Sequence, residues 1–309
     1  MSTTFDSIFN DYASYMRVRL KPQSYRTSIS RFKLYVLTYF KDYDIHTLNA
    51  KDIIKYQDYL MSLPYSYKYK KGTFYTLVSF LNFCRIYQEL NNNVAAEVGM
   101  YKNKYEIKKE LNVWNYKEFT RFINVVEDPM YKVLYKFLFF TGCRLGEALA
   151  LNFNDIKGNV LTINKTITKE YVNGKRMITP PKTKKSNRQI LLDSNLLFEI
   201  NKLHKHYSTL YKDFNNNYFI FGGPIPVSPT TIERKKNKYC TKARVKQIRL
   251  HDFRHSHATL LVNNNIPINI VADRLGHADI NMTYSVYVHK NLENEKRVIK
   301  TLQSLQSIY

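Results

Sequence analysis

Cysteine is scarce. The three in 309 residues, Cys84, Cys143 and Cys240, stand far apart, odd in number and without the paired spacing of a zinc site, so they are expected to be reduced thiols and no metal is expected. Long apolar runs are also missing. The longest, Val133 to Phe140, is interrupted by Tyr135 and Lys136, and the polar start from Met1 to Phe9 has no signal-peptide core; a cytoplasmic protein is expected. Acidic residues are few: 25 Asp and Glu face 48 Lys and Arg, which leaves a formal charge of +23. That self-repulsion is costly unless a polyanion neutralises part of it, so nucleic acid is the leading partner. A membrane surface would ask instead for an isolated basic amphipathic helix with a concentrated apolar face, and none is found. Internal repeats and low-complexity tracts are absent too. With 44% hydrophobic residues the chain is too apolar for disorder and long enough for two domains with their own cores.

Apolar periodicity supplies the plan. Phe5, Ile8, Phe9, Tyr12 and Met16 share one face of a first helix. Pro22 suits the first turn of a second, which carries Tyr25, Ile29, Phe32, Val36 and Phe40. Ile53, Tyr56, Leu60 and Leu63 mark a third behind an Asn49 cap, and Phe74, Leu77, Val78, Leu81 and Cys84 a fourth. A charged stretch from Tyr101 to Asn112 then suits a linker. Beyond it, Tyr116, Phe119, Ile123 and Val126 open another helix, followed by a buried one at Val133 to Phe140. Between Asn159 and Leu192 the period falls to two, with Asn173-Gly174 as a tight turn and a second turn near Lys182 to Asn187; one small antiparallel sheet is expected. After residue 193 the chain reads as helical again, apart from the loop Phe221 to Pro224.

Two segments carry chemistry. In Thr141-Gly142-Cys143-Arg144-Leu145-Gly146-Glu147, an arginine at a helix start after a glycine turn has its guanidinium fork free to face an anion, and a Glu three residues later can brace it. Alone this is weak, because a surface Arg–Glu pair has the same spacing. The second segment runs from His251-Asp252-Phe253-Arg254 through Leu275-Gly276-His277 to Tyr287-Val288-His289. His251 and Arg254 are three apart, so on a helix they can address one group together, Arg with two parallel donors and His with a titratable one.

The ordered set resembles the phage-integrase and Xer-like family of tyrosine recombinases: Arg144 in its glycine-rich context, Lys182 in a turn, His251 with Arg254, His277 after Leu-Gly, and Tyr287 ten residues later. The match covers roughly residues 113 to 290. The N-terminal hundred residues resemble the family's helical core-site-binding domain only in pattern and position, with no room ahead of them for an arm-site-binding domain. The resemblance implies a mainly α fold with a small antiparallel β-sheet, divided into a SAM-like core-site DNA-binding domain (1–105), a linker (106–112) and a catalytic domain with a tail helix (113–309). It further implies that Arg144, Arg254 and His277 hold the non-bridging oxygens of a phosphodiester. Tyr287 would attack it and hold the DNA as a 3′-phosphotyrosine, with Lys182 as general acid and His251 assisting proton transfer. No cofactor is then needed. Partners would be duplex recombination sites, three further copies in a DNA-bound homotetramer, and an accessory DNA-bending or excision-directing protein.

Alternatives stay open at this point. Among 26 tyrosines, Tyr284 rivals Tyr287, and Lys184 and Lys185 crowd Lys182 in one turn. His251 and His255 share the spacing of a zinc helix, but no carboxylate or thiolate sits at matching spacing. Ile266 to Thr283 has the look of a helix-turn-helix, so a non-enzymatic regulator is the rival function. Xer-type dimer resolution and a type IB topoisomerase share the chemistry. The basic run Arg234 to Arg249 is expected to lie on DNA. The tail, with Val298, Leu302 and Leu305, packs either on its own domain or on a neighbour.

Overall fold

A computed structural model describes residues 3–102, 111–172, 175–181, 183–277, 279 and 303. The chain divides into two compact units, Met1–Lys108 and Lys109–Tyr309.

The first unit is all helical among its described residues. It runs α1 (Phe5–Arg19), α2 (Pro22–Arg31), a π-helical stretch Phe32–Leu37 leading into α3 (Thr38–Phe40), then α4 (Ala50–Ser62), α5 (Tyr67–Tyr87) and α6 (Val94–Val98). Thr4, Asn49 and Ser66 cap α1, α4 and α5 by accepting backbone N–H groups, and Asn49 with Asp52 completes a capping box. The second helix is continuous in pattern but not in geometry. A strict four-residue repeat overshoots an α-turn by about 40° per step, and a widened turn takes that drift back, so that Phe32, Val36 and Phe40 are all fully buried. Their core is aromatic: Phe80 sits 4.8 Å from Phe5, 4.9 Å from Phe32 and 5.3 Å from Tyr12, centroid to centroid.

The second unit runs α7 (Tyr116–Asn124), α8 (Pro129–Thr141), α9 (Leu145–Ala150), five short strands, then α10 (Ser194–Leu210), α11 (Pro229–Ala243), α12 (Asp252–Asn263) and α13 (Ile268–Leu275). Helix α8 is the central element. Val133, Leu134, Tyr135, Phe137, Leu138 and Phe139 are all at most 5% exposed, and α7, α9, α10 and α12 pack around it.

The strands make two sheets rather than the single one expected. β1 (Ile156–Lys157), β2 (Val160–Ile163) and β5 (Arg188–Leu191) form one antiparallel sheet, while β3 (Thr166–Val172) and β4 (Lys175–Thr179) form a separate hairpin. The chain leaves the first sheet after Ile163 and returns to it only at Arg188, which pairs back with Ile163. The alternation itself is present: Leu161, Ile163 and Ile167 point into the core. The turn Asn173-Gly174 lies outside the described residues. The non-helical stretch after α10 is also longer than Phe221 to Pro224, running from residue 211 to 228; bridges Asn152–Phe219 and Phe219–Gly223 tie down its middle, and Pro224 and Pro226, which cannot donate backbone hydrogen bonds, keep the part before α11 irregular.

In the first unit, Gln57 is fully buried on α4, donates to the Gly99 carbonyl at 2.8 Å and accepts the Tyr101 N–H at 2.8 Å. It pins the chain leaving α6. Gln57→Leu leaves both backbone groups unpaired and should lower unfolding free energy by about 1–3 kcal/mol in urea titration; an unchanged midpoint would show that water replaces the amide.

Candidate active site

The Thr-Gly-Cys-Arg turn is built by its own residues. The Thr141 hydroxyl donates to the Phe137 carbonyl at 2.6 Å, which finishes α8, and accepts the Cys143 N–H at 3.2 Å. Gly142 closes the helix in the left-handed region (φ 65°), and a Cβ there would lie 2.6 Å from the His257 ring and 2.7 Å from Leu275. Only glycine satisfies both the dihedral and the contact. The reversal sets Arg144 at the N-cap of α9, with its side chain still 36% exposed, and the Gly142 carbonyl accepts a 2.9 Å hydrogen bond from Arg254 Nη1.

Glu147 does more than brace a surface pair. It is 2% exposed, binds Arg144 Nη1 at 2.8 Å through Oε1, and through Oε2 accepts the Arg144 N–H and Arg188 Nη2, both at 3.0 Å. Burial would raise the pKa of this carboxyl, but the hydrogen bond and charge of Arg188 and the charge of Arg144 outweigh it and hold the group ionised.

His251 is the N-cap of α12 with helical dihedrals (φ −71°, ψ −23°), so its three-residue spacing to Arg254 brings both to one end of that helix. Arg254 is 2% exposed, and its Nη2 is buried with no hydrogen-bond partner among the described residues. Desolvation and then the charge of Arg144 lower its pKa to about 10, which still leaves it a cation at neutral pH. The positive field reaches both histidines. Loss of hydration lowers His251 and His277 to about 4 each, assisted by the charges of Arg254 and Arg144. Arg144 and Arg254 are therefore within electrostatic reach of each other and of both His251 and His277. His277 is brought to them by Gly276, the left-handed end of α13 (φ 70°), with the His277 N–H bonded to the Ala272 carbonyl at 3.0 Å.

Lys182, Tyr287, Tyr284 and His289 lie outside the described residues, as does most of the tail. The turn after Lys182 is described: Ser186 N–H donates to the Thr183 carbonyl at 3.1 Å and their hydroxyls lie 2.9 Å apart. His251 and His255 pack edge to face at 4.9 Å, and among the described residues no three His, Cys, Asp or Glu gather to hold a metal. The described part of the helix-turn-helix segment, residues 266 to 277, is α13 and its flanks, packed within the second unit. Its Arg274 points back, donating to the carbonyls of Phe140 and Leu191, both at 3.3 Å. The basic run around α11 is only partly available to DNA. Lys236 is 1% exposed and paired with Glu233, while Lys235, Lys242, Lys246 and Arg249 pair with Asp128, Glu127, Glu118 and Asp252.

No motif marks the part Arg188 plays, and Arg274 stands out in the sequence only as part of a helix-turn-helix and His257 only as one of several histidines that could suit a metal. Arg188 had a usable signal, since in the alternation of β5 it falls in phase with the core residue Ile190 and not with exposed Leu191.

The chain belongs to the phage integrase family: it matches that family over residues 111–294 and the family's N-terminal SAM-like domain over residues 4–61. It is similar to the ICEBs1 integrase of Bacillus subtilis (strain 168), 26% identical over 98% of this chain and 84% of that protein. Its fold is that of the Tn1549 transposon integrase in complex with a circular-intermediate DNA, with a TM-score of 0.75 at 18% identity over 97% of this chain and all of the other. A lambda integrase tetramer bound to a Holliday junction is also similar, with a TM-score of 0.68 at 15% identity over 93% of this chain and 78% of that one. Among the described residues no helix is long and apolar enough to cross a membrane.

His257 sets a pH dependence. It is 3% exposed, with Nδ1 2.9 Å from the Phe139 carbonyl, and burial, then the charge of Arg274, lowers it from 6.5 to about 3. The unfolded chain therefore binds the proton more readily. Stability is full above pH 6.5 and falls as pH drops towards 3. For His257 alone the loss between pH 7 and pH 5 should be about 2 kcal/mol, measured as the shift in urea midpoint, and His257→Gln should make the profile shallower by about that amount, with the shares of His251 and His277 left in place.

Proposed function

We propose that this protein is a site-specific tyrosine recombinase that cuts and rejoins duplex DNA through a 3′-phosphotyrosine, integrating and excising a mobile element in the cytoplasm. The observation that carries the reading is the cation cluster itself: two guanidinium groups, Arg144 and Arg188, share one carboxylate, Glu147, a third, Arg254, lies within its electrostatic reach, and Arg254 Nη2 has no partner among the described residues. A phosphodiester supplies the missing anion and acceptor. The names of the relatives, integrases of an integrative element and a transposon, support the biological role.

The chemistry follows from charge. As the hydroxyl of Tyr287 attacks phosphorus, a Tyr–O–P bond forms, the P–O5′ bond breaks, and the non-bridging oxygens gain charge that Arg144, Arg254 and neutral His277 stabilise by hydrogen bonds. His251 accepts or relays the phenolic proton, and Lys182 gives a proton to the leaving 5′-oxygen. One phosphate ester replaces another, so the bond energy is kept and a 5′-hydroxyl from a second duplex reverses the step. Two duplexes exchanging strands require four cuts, so the working form is a homotetramer on DNA, joined by an accessory DNA-bending or excision-directing protein. Arg234, Lys238 and Arg244 make no ion pair among the described residues and contribute to phosphate contacts.

Covalent trapping on a nicked duplex of the element's attachment sequence tests this. Wild-type protein should form an adduct, Tyr287→Phe should form none, and Tyr284→Phe should form it normally; a Tyr284→Phe variant that traps nothing would move the nucleophile. Arg144→Ala and Arg254→Ala should bind the site in gel shift yet cleave about 100- to 1000-fold slower. A regulator would yield no adduct from any variant.

A further inference from the structure

We propose that Arg188 is a positioning residue for strand cleavage, a single guanidinium that fixes the turn following Lys182 against the groups that hold the phosphate. The inference rests on the recombinase reading above and concerns a residue that does not itself touch DNA.

Arg188 is 9% exposed and spends its donors on three separate elements. Nη2 meets Glu147 Oε2 at 3.0 Å, and Glu147 in turn holds Arg144. Nη1 donates to the Ser186 carbonyl at 3.2 Å, inside the turn that follows Lys182. Nε donates to the Arg274 carbonyl at 2.7 Å, three residues before His277. The glycine of Leu-Gly-His closes the frame: a Cβ on Gly276 would lie 2.9 Å from the Lys185 carbonyl and 3.0 Å from Arg188 Cδ, so the lysine turn, Arg188 and the His277 approach are in contact at that point.

These bonds do a job that stability alone does not require. The donors to the non-bridging oxygens, Arg144, Arg254 and His277, sit at the start of α9, on α12 and just after α13, whereas the donor to the leaving oxygen follows the β3–β4 hairpin, whose strands pair with each other and not with the β1-β2-β5 sheet. Cleavage needs both at one phosphorus, and a misplacement of about 1 Å in such a constellation costs on the order of 100-fold in rate. Only a planar fork reaches three acceptors in three directions; an ammonium on a flexible stem offers its donors from one point.

The test compares two nicked duplexes, one with the normal oxygen leaving group and one with a 5′-bridging phosphorothiolate, whose sulfur departs as a thiolate and needs no proton. Arg188→Lys should bind DNA within about 3-fold of wild type in gel shift and cleave the oxygen substrate about 30-fold slower, a loss that shrinks to about 3-fold on the sulfur substrate. Arg188→Gln, which keeps one donor, provides the same comparison if the lysine variant does not fold. Wild-type cleavage of the oxygen substrate, equal slowing of both substrates within a factor of about 2, or failure of both variants to fold overturns the proposal. A wild-type protein that forms no adduct on either substrate would instead sink the recombinase reading.

Discussion

A carboxylate buried among guanidinium groups sets the terms for the catalytic unit. Glu147 is held at 2.8 and 3.0 Å by Arg144 and Arg188, and the charge of Arg254 lies within its reach. Removing ions from water is expensive and is repaid only when geometry and hydrogen bonds are good. That requirement explains the local fold: a left-handed glycine ends α8 so that Arg144 turns back, another ends α13, and β5 points an arginine inward where an aliphatic side chain would be the ordinary choice. One carboxylate is enough to order these cations and too little to neutralise them. The remaining attraction is available to a phosphate.

Burial governs the proton chemistry, and the nearby cations reinforce it. Loss of hydration, then the charges of neighbouring arginines, disfavours further cations, which is why His251, His257 and His277 are all neutral well below physiological pH. Neutral imidazoles can accept a proton at one nitrogen while donating at the other, whereas imidazolium can only donate. A tyrosine hydroxyl brought among these groups would feel the opposite push, because its charged form is an anion and the nearby cations stabilise it.

Much of this was legible in the sequence, for a definite reason. Arg144, His251, Arg254 and His277 lie beside glycines or at helix starts, and such positions leave marks in local spacing. The helices of both units were equally plain, since each buries one face. What escaped was long-range. The inward turn of Arg188, the division of five strands into two sheets and the partner of Gln57 depend on pairings between residues 25 to 86 apart in the chain. A widened turn inside a helix escaped too, because the four-residue repeat it serves looks the same in sequence as an ordinary amphipathic face.

Composition counts cations without their partners. The run from Arg234 to Arg249 has eight basic residues, read as a surface for DNA, yet five of them are ion-paired within the protein and Lys236 is buried. Those pairs belong partly to folding: Lys235 reaches Asp128 at the start of α8 and lies 4.2 Å from the Tyr131 ring centroid, while Lys246 reaches Glu118 on α7. A lysine already neutralised by a carboxylate displaces fewer counterions when it meets a phosphate. Net charge therefore overstates the number of phosphate contacts a basic segment can make. What separates the two kinds of cation is the acid opposite each: in the ion pairs of α11 each carboxylate meets one cation, whereas Arg144 and Arg188 share the single carboxylate of Glu147, which leaves a positive charge there that an anion can offset.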